Sequence, residues 1–150
     1  MHEERPRLSG NKLAAFNNIN TKERRILVIG DIHAPFELDG YFDFCQNTYA
    51  KWNCNQVIFI GDIIDSHYSS FHPTDPDGLG GGDELKRAID DIQKWNKEFP
   101  VADVLTGNHD RIVMRKAFDS AIPKAWIKSY NEVLGTNWNS KLELARACGL

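Results

Sequence analysis

The sequence predicts an α/β fold, a mostly parallel sheet with crossover helices, and three observations predict it. Short, β-branched apolar runs recur at "ILVIG" (Ile26 to Gly30), "QVIFIG" (Gln56 to Gly61) and, more weakly, "VADVLTG" (Val101 to Gly107). Continuous runs of this kind are typical of strands covered on both faces. Helical periodicity fills the intervals between them, and a strand, helix, strand, helix, strand order implies parallel strands joined by crossovers. Each run also ends on glycine followed at once by Asp or Asn. Such carboxyl ends are where sites form in open parallel sheets.

The elements follow in order. Residues 1–25 mix charge, Asn, Pro and Gly around a brief apolar cluster at Leu13 to Phe16, and are expected to be a loosely held extension before a domain spanning 26–150. After the first strand, Tyr41, Phe42, Cys45, Tyr49 and Trp52 fall at helical intervals, which predicts an amphipathic crossover helix. The stretch "DPDGLGGGDE" (Asp75 to Glu84) is glycine-rich but lacks the Gly-Lys-Ser/Thr ending of a P-loop, so it reads as a turn. Asp83 is placed to cap a second helix, along which Leu85, Ala88, Ile89, Ile92 and Trp95 keep a 3.6-residue period until "FP" ends it. Beyond the third run the chain reads as helix from Arg111 to Phe118, then from Pro123 to Leu134 with Gly135 as the stop.

Composition bounds the function. With 150 residues, 41% hydrophobic and 26% charged, the chain has the make-up of one globular domain. No apolar run approaches the ~20 residues of a membrane helix, so no membrane partner is expected and the expected location is the cytoplasm. Cys45, Cys54 and Cys148 are odd in number and form no Cys-x-x-Cys pair, which argues against a disulfide framework or a zinc knuckle. A formal net charge of −3 gives no broad attraction to nucleic acid.

The chemistry sits at the strand ends. "GDIH" supplies Asp31 and His33, "GDIID" supplies Asp62 and Asp65, and "GNHD" supplies Asn108, His109 and Asp110. One Asp after a strand is ordinarily a cap or a turn former, and one His an ordinary loop residue. Three glycine-led ligand clusters on neighbouring parallel strands are different, because they aim carboxylate, imidazole and amide oxygen into one small volume. That donor set suits divalent ions such as manganese, iron or zinc. Glycine fits each place by allowing a sharp turn and a close backbone approach.

In Asp-x-His, Gly-Asp-x-x-Asp and Gly-Asn-His-Asp, in this order, the chain resembles the calcineurin-like metallophosphoesterases over Ile26 to about Arg111. The segments "SFHPTDPDGLGGGDEL" and "RKAFDSAIPKAWIKSYNEVLG" resemble a phage-associated branch of that family. The resemblance implies the amino-terminal part of a four-layer α/β/β/α sandwich and a site for two divalent ions. By that resemblance Asp31 and His33 hold the first ion, Asp62 bridges both, and Asn108 binds the second. His109 faces the phosphate, and Asp65 pairs with its imidazole to orient it. The implied reaction is hydrolysis of a phosphate mono- or diester by a metal-bridging hydroxide, two cations ~3.5–4 Å apart clamping the phosphoryl group, with an imidazole supporting the departing oxygen. The ester itself stays open among monoester, diester, nucleic-acid end and protein phosphate, with a nucleotide or nucleic acid the type that the resemblance to the phage-associated branch suggests.

The chain departs from the family's pattern in one respect. Three further histidines that complete the two sites in the family have no counterpart, since the other histidines are His2, His67 and His72. A truncated domain is therefore expected, with weak or no activity, one sheet face left bare, and self-association through that face. The competing expectation is a non-catalytic binding or assembly protein that keeps the half-fold. A nucleotide-binding domain is a weaker third, for want of either glycine pattern.

Overall fold

A computed structural model describes residues 23–140 of the chain. All but the last three residues of the expected extension, and Cys148, lie outside the described residues. Strands β1 (Ile26–Ile29), β2 (Gln56–Phe59), β3 (Asp103–Val104) and β4 (Asn139–Ser140) form one sheet in that order, every neighbouring pair parallel. Around it lie helices α1 (Tyr41–Lys51), α2 (Gly81–Glu98), α3 (Ile112–Asp119) and α4 (Tyr130–Leu134). The α/β class and the parallel order are as expected. Among the described residues no helix is long and apolar enough to cross a membrane.

The sheet buries one face. In-register pairs Leu27 with Val57 and Ile29 with Phe59 point inward and are buried. The alternate pair Val28 with Ile58 points the other way, and Val28 is 55% exposed, with Ile26 at 40% and Ile60 at 50%. A continuous apolar run thus forms half-buried strands here, which corrects the two-sided cover read from the run alone and agrees with the separate expectation of one bare sheet face. The burial follows the period of two that any strand imposes.

The inner face packs on α2, whose Ala88, Ile92 and Trp95 are buried on one stripe. Trp95 is the centre of the core. It is fully buried, meets the rings of Phe42 at 4.9 Å and Phe59 at 6.1 Å, and donates its indole N–H to Glu37 Oε2 at 2.9 Å. A buried indole needs such a partner. Trp138 closes the other end of the core, its ring 4.7 Å from Phe59 and its N–H on the Phe99 carbonyl at 2.7 Å.

Four local expectations are corrected. Helix α2 begins three residues early, with Gly80 instead of Asp83 at the cap and no side-chain cap bond, so Asp83 sits in the first turn with Glu84, where acids favour the helix dipole. The third strand shortens to two paired residues, and Val101 is 88% exposed. The helix expected from Pro123 to Leu134 is broken: a single 3₁₀ turn at Lys124–Trp126, an extended Ile127, then α4. Ser129 starts α4 with a capping box, its hydroxyl accepting the Glu132 amide while Glu132 takes the Ser129 amide. Gly135 ends it in the left-handed region at φ 64°. Finally, β4 appears in a segment without an apolar run, fixed by Asn139, whose amide donates to the Ala102 carbonyl at 3.0 Å and whose side chain donates to Asp103 at 2.8 Å.

Candidate metal centre

Beyond their paired residues, β1 and β2 continue side by side as two loops. The His33 amide donates to the Asp62 carbonyl at 2.9 Å, the Ala34 amide to Ile63 at 2.9 Å, and the Asp65 amide to Ala34 at 3.0 Å. The loops that carry Asp31, His33, Asp62 and Asp65 are therefore a laddered extension of the sheet. In them Asp31, His33, Asp62 and Ser66 adopt positive φ between 51° and 53°. Left-handed backbone costs a side-chain-bearing residue ~1–2 kcal/mol, and clusters of it mark sites where geometry is fixed for function. Those turns put donor atoms of Asp31, His33 and Asp62 within 4.8 Å of one another, and those of His33, Asp65 and His109 likewise.

The third loop joins through Asp62. The His109 amide donates to Asp62 Oδ1 at 2.8 Å, which leaves Oδ2 for another partner. Gly107 makes this approach possible, since a Cβ there would collide with the Asp62 carboxylate and amide. Gly61 serves in both ways, since its own φ is 109° and a Cβ there would collide with the Gly107 backbone, and positive φ falls as well on Asp31 and Asp62, the residues that follow Gly30 and Gly61. Asn108, exposed at the same edge, lies between Gly107 and His109.

The imidazoles are oriented by their Nδ1 atoms. His33 Nδ1–H donates to Asp65 Oδ1 at 2.8 Å, and His109 Nδ1–H donates to the Asp65 carbonyl at 2.6 Å. A carboxylate or carbonyl can only accept, so Nδ1 carries the proton in both rings and Nε2 is the nitrogen left for a ligand. His33 Nε2 lies 3.7 Å from Asp31 Oδ1, and the two rings meet edge to face at 4.6 Å. The Asp65 carboxylate thus serves His33 first; its distance to His109 Nδ1 is 3.4 Å and to His67 Nδ1 3.9 Å. This alters the expected pairing of Asp65 with His109, which runs chiefly through the main-chain carbonyl.

Asp110 is the part whose role the motif did not disclose. It is buried and accepts the amides of Asp62, Ile63, Ile64 and Gly107 at 2.8–3.2 Å, together with the Tyr130 hydroxyl. Instead of ligating, it pins the second motif to the third. Burial pushes its carboxyl up, against the pull of the Tyr130, Gly107 and Ile64 hydrogen bonds. Burial also pushes the Tyr130 phenol well up, aided by the Asp110 charge. Nothing near Tyr130 in the sequence marks it, because it arrives from α4 after an irregular segment.

The donor set fits divalent ions. Among the described residues no Lys or Arg lies in an ion pair with Asp31, Asp62 or Asp65, so several carboxylates converge with no cation of the chain to balance them. Asp31 is 76% exposed while His33 and Asp65 are mostly covered, which gives a site open on one side.

Residues 24–146 match the family described as calcineurin-like phosphoesterase. The chain belongs to the calcineurin-like phosphoesterase family. Comparisons with curated proteins and with solved structures gave no match.

Proposed function

We propose that this chain carries the amino-terminal half-site of a metal-dependent phosphoesterase and by itself hydrolyses phosphate esters weakly. The observation that carries the proposal is the convergence of Asp31, His33 and Asp62 donors within 4.8 Å. Asp31 and His33 would hold one divalent ion, Asp62 would be shared between two, and Asn108 would serve the second through its amide oxygen. Bound manganese, iron or zinc supplies an activated water and neutralises the phosphoryl oxygens.

The chain's own residues do the rest. Asp65 fixes the His33 tautomer so that Nε2 is the donor atom. His109 would act as the imidazolium, keeping Nδ1–H on the Asp65 carbonyl and presenting Nε2–H to the substrate, so that the Nε2 proton passes to the departing oxygen and leaves the ring neutral with its remaining proton on Nδ1. Asp110 keeps Asp62 and Gly107 in place without entering the chemistry. Weak activity follows from the ligand set, since among the described residues the remaining histidines, His67 and His72, leave β2 on the loop after Asp65 and His67 is already 3.9 Å from that carboxylate. A nucleotide or nucleic-acid phosphate is the substrate we assign. With Cys45 and Cys54 both free thiols, we assign the chain to the cytoplasm.

Manganese-dependent hydrolysis of bis(p-nitrophenyl) phosphate tests this reading. Slow turnover that disappears in Asp62→Asn is expected. Fast turnover would overturn the half-site, and turnover untouched by Asp62→Asn would overturn the assignment of the site.

A second reading rests on the exposed sheet face of Ile26, Val28 and Ile60: a binding or assembly protein that self-associates there and keeps an ion only as structure. Sedimentation showing concentration-dependent dimers, lost in Val28→Lys and without hydrolysis, would favour it.

A further inference from the structure

A cavity of about 760 Å³ opens between the amino-terminal half of α2, α3 and the segment from Lys124 to Val133. None of Asp31, His33, Asp62, Asp65, Asn108 or His109 lines it, while Ile64, Ser66, Asp110 and Arg111 beside them do, so it adjoins the metal centre without including its donor residues. Its volume is that of a small-molecule site. Much of its wall is apolar, with Leu85, Met114, Phe118, Ile127 and Val133 contributed by three different elements.

The charged groups in that wall are unbalanced. Arg111, Arg115, Lys124 and Lys128 line it, against two carboxylates, Glu84 and Asp110. Both carboxylates are already committed. Glu84 is buried and accepts the amides of His67 at 2.7 Å and Tyr68 at 2.9 Å, and Asp110 holds four amides and the Tyr130 hydroxyl. Among the described residues none of the four cations is in an ion pair. Arg115 lies 4.9 Å over the Phe71 ring, and Lys128 stands near Glu132, whose carboxylate is held by Ser129.

We propose that this cavity binds an amphipathic organic anion, an apolar chain or ring body carrying one carboxylate or sulfonate head. Inorganic phosphate would leave the apolar wall uncovered, and a neutral hydrocarbon would gain nothing from the four exposed cations at its rim. Only a ligand with both parts matches the wall by shape and by charge.

Displacement of anilinonaphthalene sulfonate fluorescence by decanoate, with decanol as the neutral comparison, tests the proposal on the full chain. Decanoate is expected to displace the dye at concentrations at least roughly tenfold below decanol, and Lys124→Glu combined with Lys128→Glu is expected to weaken decanoate by roughly tenfold or more. Both lysines are exposed, so the double variant folds. Leu85→Trp, which fills the cavity, should weaken dye and decanoate together. Val28→Lys on the bare sheet face and Asp62→Asn in the metal centre should leave decanoate binding unchanged, which separates this site from both. Equal displacement by decanol, indifference to the lysine reversals, or loss on Val28→Lys would overturn the proposal. A dye signal that falls as the chain dimerises, without decanoate, would give the cavity to a second copy and overturn it as well.

Discussion

The carboxylate of Asp110 accepts the backbone amide of Asp62 at 2.9 Å across 48 residues of sequence. Through this contact and its companions on Ile63, Ile64 and Gly107, two strand-end loops are held as one unit. The Asp62 carboxylate then accepts the His109 amide in return. The metal centre is thus assembled by reciprocal side-chain to backbone bonds between loops, and the consequences are specific.

Removing Asp110 should cost stability and the site together. Asp110→Ala would leave four amides and the Tyr130 hydroxyl unpaired in a mostly buried place, and each such orphan costs about 1–3 kcal/mol where water cannot reach it. A loss of about 3 kcal/mol or more in urea unfolding is expected. Tyr130→Phe removes only one donor to a charged acceptor and should cost about 1.5–3 kcal/mol. Equal stability of Asp110→Ala and the parent chain would show that the loops are held by something else.

Asp65 should act on metal affinity through His33. Asp65→Ala frees the His33 ring to turn and to exchange tautomers, and loss of such an orienting partner typically lowers metal affinity about 10–100-fold. Calorimetric titration with Mn²⁺ checks it. His109→Ala should weaken Mn²⁺ binding much less than Asp65→Ala, because its ring is assigned to the substrate.

The core prediction concerns Trp95. Its burial against Phe42, Phe59 and Phe99 makes Trp95→Ala cost about 3–5 kcal/mol, read from denaturant midpoints. Val101→Ala, at an 88% exposed site, should stay within about 0.5 kcal/mol of the parent.

The capping box of α4 gives a pH dependence. The Ser129 hydroxyl and amide hold the Glu132 carboxyl below its ordinary value. A depressed folded value means that the ion contributes stability above the unfolded value of 4.5, and that the contribution is lost as pH falls through the lower folded value. Glu132→Gln should therefore melt earlier than the parent at neutral pH, with the gap closing as pH falls below 4.5 and through the lower folded value. A gap that widens on acidification would contradict the assigned sign.

Much of this was legible in the sequence. The order of β1 to β3, the α1 and α2 crossovers and the Gly135 stop follow from hydrophobic period and glycine chemistry, which act locally. What was not legible depended on partners distant in sequence. Asn139 enters the sheet as β4 through Asp103 and Ala102. The break at Ile127 reflects the Ser129–Glu132 box winning over a helical pattern that begins at Pro123. The bare face of Val28 could not be read from "ILVIG", because a continuous apolar run looks the same whether one face or two are covered. At the site, Asp31, His33 and Asp62 were marked by their place after strand-end glycines. The commitment of Asp65 to His33 and the anchoring part played by Asp110 and Tyr130 needed coordinates, since each is decided by which donor a carboxylate meets.

Isothermal titration of Mn²⁺ into the full chain and its Asp62→Asn variant tests the shared cation site most directly. The convergence of Asp31, His33 and Asp62 predicts saturable binding that weakens by at least about tenfold in the variant. Absence of divalent-ion binding by the parent chain, or identical binding by both, would contradict the metal centre and the phosphoesterase half-site built on it.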